Sequence, residues 1–289
     1  MKRIFIVFFI LFTSLLANES KDYNYKRVAS LTLSGDEMIL SLIESNRIVG
    51  LCGAINEEKD MSNVWEKAGK YPKIESNIEV LAELEPDFVI AADWMKKEVI
   101  AQIEELGAKL FIYKTPKNFE EQKKLILELS NYLEVPDKGK IIVKNMDNRL
   151  KKLQTQISKV KTHTPKIMIY TSFESTSGKN TTFDSMVELI GGENIAKTAG
   201  IIGSEQISKE KVIELNPEII IIPLWNNHIN SEEFIEFVKN DESFKEVRAV
   251  KENKVYVLLH KKLAPTSQYM IDGIEELGRK IYNLESEKL

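Results

Sequence analysis

Two stretches of this chain repeat each other without a gap: EVLAELEPDFVIAADW from Glu79 to Trp94 and EKVIELNPEIIIIPLW from Glu210 to Trp225. Glu79 and Glu210, Leu84 and Leu215, Pro86 and Pro217, and Trp94 and Trp225 each stand 131 residues apart. Solenoid repeats recur at about 20–50 residues, so an offset this long indicates a duplicated lobe. Each copy reads as a short helix, a proline-marked turn and a strand. The runs DFVIAA and EIIIIP are continuously apolar, as strands of a parallel sheet covered on both faces are. Asn77 and Ser208 precede the helices as caps, which puts Glu79 and Glu210 in the first turn, where the helix dipole favours an acid. A helix packed antiparallel to the strand it feeds begins on the side where that strand ends. Both glutamates and both tryptophans are therefore expected along the rim formed by the C-terminal ends of the strands, where open α/β sheets bind ligands.

The surroundings supply the rest of two lobes, and a chain of 289 residues exceeds the usual size of one domain. In the first half RVASL predicts a strand, SGDE has the Ser34 to Glu37 spacing of a capping box, and MILSLI continues its helix. Strand RIVGL, the first repeat, a helix over Lys96–Leu106, strand KLFIY and a helix over Asn118–Leu133 follow. The second half alternates likewise: strand KIMIY, a helix over Thr182–Ile190, the second repeat, a helix over Ser231–Val238, strand KVYVLL and a closing helix over Ser267–Tyr282. Between the halves, Ile141, Ile142, Met146, Leu150, Leu153 and Ile157 keep near-helical spacing with no glycine after Gly139. That predicts one helix, roughly 35 Å long at about 1.5 Å per residue, too irregular in pattern for a coiled coil. The expected fold is α/β: two Rossmann-like lobes, each with a mostly parallel sheet, joined by one long α-helix, with a ligand cleft between the lobes. The first lobe is expected over residues 18–135, the linker helix over 136–162 and the second lobe over 163–289.

The opening MKRIFIVFFILFTSLLANES places Lys2 and Arg3 before an apolar run from Ile4 to Phe12, well short of the roughly 20 residues that span a bilayer. Residues 1–17 read as a secretory signal peptide cut after Ala17. The single cysteine is Cys52, so no cysteine at the cut can carry a lipid and no intrachain disulfide can form. The mature chain is expected in the periplasm, and not as a lipoprotein. A formal charge of −4, with lysines and acids mixed along the chain, offers no nucleic-acid surface. GGENIAKTAG, from Gly191 to Gly200, misses a phosphate-binding loop by one residue, with Ala196 where glycine is required. What precedes it, TTFDSMVELI, has helical spacing, so the two glycines read as a helix stop. GxSxG and HExxH are both absent, which leaves an exported α/β hydrolase as an alternative without a motif. No catalytic residue and no cofactor is assigned.

Taken in order, these segments resemble the substrate-binding proteins of bacterial ABC importers for iron complexes, haem and cobalamin, the class with two lobes and a single long linker helix. RVASLTLSGDEMILSLIESNRIVGLC is similar to that family's opening strand, serine-containing loop and helix, and NIEVLAELEPDFVIAA to its first docking helix and strand. SGKNTTFDSMVELIGGENIAKTAG resembles the start of its second lobe, ISKEKVIELNPEIIII its second docking helix, and VKENKVYVL its late strand. The resemblance covers nearly the whole mature chain. It implies no enzymatic activity, a monomer, an inner-membrane permease with its ATPase as partner, and docking to permease arginines through Glu79 and Glu210. The cargo it implies is a small-molecule metal complex, a siderophore or haem, with cobalamin or a nickel chelate as alternatives. Strand ends and following loops supply the ligand-binding candidates: Ser34, Trp94, Tyr113, Lys114, Tyr170, Phe173, Lys179, Trp225, His228, His260 and Ser267. Trp94 and Trp225 would grip a flat ligand from both sides, and Tyr170 and His260 would ligate iron if the cargo is haem. YPKIES stands where the cobalamin binders carry aromatic residues. Arg27, Arg47 and Arg248 precede strands, away from the cleft, which leaves Lys114, Lys179, Lys261 and Lys262 to meet an anionic siderophore. Three histidines, one of them His163 at the lobe junction, are too few for a bare zinc or manganese site.

Overall fold

The structure, a computed structural model, describes residues 22–53, 55, 58–75, 77–225 and 231–285. The first lobe comprises β1 (Val28–Ser30), α1 (Leu33–Leu42), β2 (Ile48–Gly50), α2 (Trp65–Ala68), α3 (Ile78–Glu83), β3 (Phe88–Ala92), α4 (Lys97–Glu105), β4 (Lys109–Tyr113) and α5 (Phe119–Tyr132). Helix α6 (Pro136–Val160) leads to the second: β5 (Lys166–Ile169), β6 (Ser175–Ser177), α7 (Thr182–Leu189), β7 (Glu193–Asn194), α8 (Ile195–Thr198), β8 (Ser204–Gln206), α9 (Lys209–Leu215) and β9 (Ile219–Leu224). It closes with α10 (Ser231–Asn240), α11 (Arg248–Lys251), β10 (Val255–Leu259), α12 (His260–Leu263) and α13 (Met270–Tyr282).

Each lobe is built on a four-stranded parallel sheet, ordered β2-β1-β3-β4 in the first and β10-β9-β5-β7 in the second. Read from its other edge the second sheet is β7-β5-β9-β10, the same order by position in the lobe, so the duplication extends to the topology. Both sheets reverse direction of growth between their two central strands, the place where such sheets open a crevice at their C-terminal ends. β6 and β8 add a short antiparallel pair that lacks the apolar alternation by which strands are read from sequence.

The elements of the two copies begin in register. α3 and α9 begin at Ile78 and Lys209, β3 and β9 at Phe88 and Ile219, and the turns between hold Glu85 and Asn216 at φ of 42° and 47°. Both caps are made as expected: Asn77 accepts from the amides of Glu79 and Val80, and Ser208 from Lys211. Gly191 takes φ +74° after α7, the left-handed helix stop. The Ser34 to Glu37 spacing is not a capping box. Thr32, in extended conformation, is the cap and accepts from the Gly35 amide, while Ser34 and Glu37 lie inside the helix and turn to the other lobe.

Every residue of β3 is buried, with Phe88, Ile90 and Ala92 on one face and Val89 and Ala91 on the other. β9 alternates likewise, Ile219 and Ile221 against Ile220 and Ile222. The inner faces of the two sheets share one apolar cluster. It runs from α1 and α5 through Met146, Leu153 and Ile157 of α6 to Met186 and Ile190, and to Ile274 and Leu277 of α13. Helix α6 is therefore packed into both lobes rather than spanning free between them. Gly139 permits its approach to α5, since a Cβ there would lie 2.1 Å from Ser130 Oγ.

Candidate functional site

In the first lobe β1 ends in the turn that caps α1. Thr32 Oγ1 lies 2.9 Å from the Tyr113 hydroxyl at the end of β4. Burial pushes that hydroxyl up to about 12, against the hydrogen bonds from Thr32 and Ser34. Tyr113 is buried and Lys114 beside it is exposed. After β3, Asp93 turns back to accept from the Thr115 amide and hydroxyl at 3.2 and 2.8 Å, leaving Trp94 at the rim with 67% of its surface exposed.

In the second lobe an aromatic group occupies the strand ends. Trp225 stacks on His260, ring centroids 3.5 Å apart and planes 22° from parallel, and Phe173 meets Trp225 edge-on at 6.2 Å. Phe173 is exposed, and Trp225 Nε1 is buried with no hydrogen-bond partner among the described residues. Burial alone lowers His260 from 6.5 to about 4, so the imidazole is neutral and keeps a lone pair. Lys179 is exposed, on an isolated bridge to Ile202. His228 lies outside the described residues.

Three of the expected cleft residues are elsewhere. Tyr170 is fully buried on the outer face of the second sheet, its ring 5.2 Å from Phe234 and 6.2 Å from Phe244, with its hydroxyl pushed up to about 12 chiefly by burial. It is a core residue, because the alternation of β5 continues one position past the strand and turns its side chain away from the cleft. Ser267 is also fully buried, and its hydroxyl donates to the Glu37 carboxylate across the lobe boundary. Ser34 meets Thr266 of the other lobe in the same way. Sequence reasoning missed Glu37, Thr266 and Gln268, which join the lobes. The one pattern touching them was the Ser34 to Glu37 spacing, which has a local meaning as well.

The arginines serve the opposite edges. Arg27 donates to the carbonyls of Leu84 and Glu85, Arg47 to those of Tyr25 and Leu133, and Arg248 pairs with Glu218 at 2.5 Å. His163 joins the same Glu218 at 2.9 Å. Glu79 and Glu210 stand exposed on the first turns of α3 and α9. The Glu210 carboxyl is held below the usual range by its own backbone amide and the Ser208 hydroxyl. Among the described residues no three His, Cys, Asp or Glu side chains group as a metal site.

A parallel sheet of this order in each lobe, joined by one long helix, with aromatic side chains at the central strand ends, describes a two-lobed binding protein. The family described as periplasmic binding protein matches residues 28–261, and the chain belongs to it. It is accordingly a solute-binding protein rather than an enzyme. An uncharacterized ABC transporter substrate-binding lipoprotein, YvrC of Bacillus subtilis (strain 168), is 25% identical over 264 residues, which is 89% of this chain and 80% of the relative. The iron-uptake system-binding protein of the same organism is 25% identical over 207 residues, 69% of this chain and 62% of that protein. In fold, the chain is similar to the periplasmic heme-binding protein RhuT from Roseiflexus sp. RS-1, with a TM-score of 0.75 at 20% identity over 89% of this chain and 98% of the other.

Proposed function

We propose that the protein captures an iron complex, a siderophore or haem, in the cleft between its lobes and delivers it to the permease and ATPase of an ABC importer. The observation that carries this reading is the aromatic wall of Phe173, Trp225 and His260 on one lobe, with exposed Trp94 at the corresponding strand end of the other. Two indoles at topologically equivalent positions suit a large flat ligand. His260, uncharged and stacked, has the state a ligand to the metal of such a cargo needs. Lys114 and Lys179, both exposed, supply positive charge for anionic groups of the cargo. Glu79 and Glu210, one on each lobe, dock to the permease. The family and the importer relatives support the transporter role, while the choice of cargo rests on the cleft. Export through residues 1–17, which lie outside the described residues, completes the reading. A monomer in the periplasm is part of the same reading, and the relative YvrC is named a lipoprotein.

Tryptophan fluorescence of the mature chain, titrated with haemin, a ferric catecholate, a ferric hydroxamate, cobalamin and nickel, tests the cargo. Saturable quenching by an iron complex, weakened in both Trp94→Phe and Trp225→Phe, is expected. Quenching by cobalamin or nickel alone would replace iron as the cargo. Quenching by any of them that both variants leave intact would overturn the cleft. Charge reversal at Glu79 and Glu210 is expected to abolish capture of the permease while leaving the titration unchanged.

A further inference from the structure

The segment that leaves β10 crosses to the other lobe before α13 begins. Lys261 Nζ donates to the backbone carbonyls of Lys59 and Ser62 in the first lobe. Thr266 pairs with Ser34, and Ser267 donates to Glu37 Oε2. Gln268 Nε2 donates to the Glu37 carbonyl at 2.7 Å and to Ser41 Oγ at 2.9 Å. The far oxygen of Glu37 is held from its own lobe by Asn63, side chain at 2.8 Å and amide at 3.3 Å. The segment is pinned equally firmly to the second lobe. Gly273 of α13 packs so closely on it that a Cβ would lie 1.8 Å from the Lys262 carbonyl. Lys262 reaches Asp272, which pairs with Arg149 of the linker helix.

Glu37 is buried and, among the described residues, accepts hydrogen bonds from neutral donors only; its carboxyl stands above the usual range, burial outweighing the hydrogen bonds from Ser267 and Asn63 and the Lys262 charge. A carboxylate in such a place is costly unless each oxygen is satisfied. One oxygen is satisfied by each lobe, so drawing the lobes apart leaves half of the group without a partner. An apolar side chain would fill the space without specifying that registry.

We infer that residues 261–268 form a strap buckled to the first lobe by Glu37, and that this contact, together with the linker helix, fixes the separation of the lobes. Its position makes it more than a packing detail. His260 is the first residue of α12 and stacks on Trp225, so the strap carries part of the aromatic wall and ties it to the opposite lobe.

The test measures the lobe separation directly, without ligand or permease, so its outcome is independent of the importer reading. In a Cys52→Ser background, cysteines replacing exposed Gln102 on α4 and Lys251 on α11 are nitroxide-labelled and their separation is read by double electron–electron resonance. The parent is expected to give one narrow distribution. Glu37→Ala and Ser267→Ala are each expected to broaden it and lengthen its mean, and Glu37→Gln, whose amide oxygen still accepts, to restore most of the narrowness. Unchanged distributions in both alanine variants, with native circular dichroism, would overturn the proposal. Should Glu37→Ala not fold, Ser267→Ala combined with Gln268→Ala decides alone, broadening for the strap and an unchanged distribution against it.

Discussion

Acid should weaken this fold through His260 in a way that can be isolated from every carboxylate. Among the described residues no carboxyl contributes to its shift, and burial alone lowers it from 6.5 to about 4. Between those values the unfolded chain binds a proton that the folded chain refuses, so stability is intact above the unfolded value and is lost as pH falls towards the folded one. A tenfold difference in proton affinity between the two states corresponds to about 1.4 kcal/mol, so the full loss is about 3 kcal/mol, and the part falling between pH 7 and pH 5 is about 2 kcal/mol. The comparison is with His260→Phe, which keeps a ring against Trp225 and cannot titrate. Urea unfolding at pH 7 and pH 5, followed by circular dichroism because protonation of a stacked imidazole would itself alter Trp225 emission, gives the stability of each protein. Shifted carboxyls such as Glu37 and Glu218 titrate in both proteins and cancel in the difference. The stability of His260→Phe relative to the parent is expected to rise by about 2 kcal/mol on going from pH 7 to pH 5. Parallel behaviour of the two proteins would refute the neutral, desolvated imidazole, and with it the lone pair assigned to the cleft.

Tyr170→Phe removes a buried hydroxyl that has no partner among the described residues, so its unfolding free energy is expected to stay within about 1 kcal/mol of the parent or to rise; it should also leave ligand quenching unchanged, and weakened quenching would return Tyr170 to the binding surface. Gly139→Ala forces a methyl onto Ser130 and is expected to cost about 1–3 kcal/mol in urea unfolding, with an unchanged midpoint showing that α5 and α6 are not in close contact.

The fold was legible where one physical requirement acts along the chain. A strand buried on both faces must be apolar at every position, and β3 and β9 are. A helix stop needs a left-handed residue, and Gly191 is one. The long helix announces itself because both lobes pack on it, which keeps Met146, Leu153 and Ile157 at helical spacing. β6, β7 and β8 escaped detection because STS, EN and SEQ carry no apolar residue, so neither an alternation nor an apolar run marks them. The site was legible only as a list of strand ends. Which face of the sheet a strand-end side chain takes depends on where the pleat stops, and that placed Tyr170 in the core while Trp225 and His260 stack on each other at the strand ends. Ser34 and Glu37 were misread because the same spacing serves a cap or two interlobe contacts. Thr32, two residues before Ser34, had already taken the cap.

The duplication also explains why the strap is on one side only. By position in the lobe, α1 corresponds to α7 and α5 to α13, so each lobe has a segment joining its last strand to its last helix, and each such segment meets the first helix of the other lobe. In the first lobe that segment is the short loop after β4, and the interlobe hydrogen bond lies just past it, where the amide of Phe119, the first residue of α5, donates to Ser185 Oγ of α7 at 3.2 Å. In the second it contains α12 and the residues to Gln268, and this extra length supplies Lys261, Thr266, Ser267 and Gln268. A backbone amide on a serine hydroxyl is replaceable by water when the lobes part, whereas a buried carboxylate is not. Any relative motion of the lobes should therefore pivot about the side held by Glu37 and open on the side of Ser185, so that Trp94 and Lys114 move farther than His260 when the cleft widens.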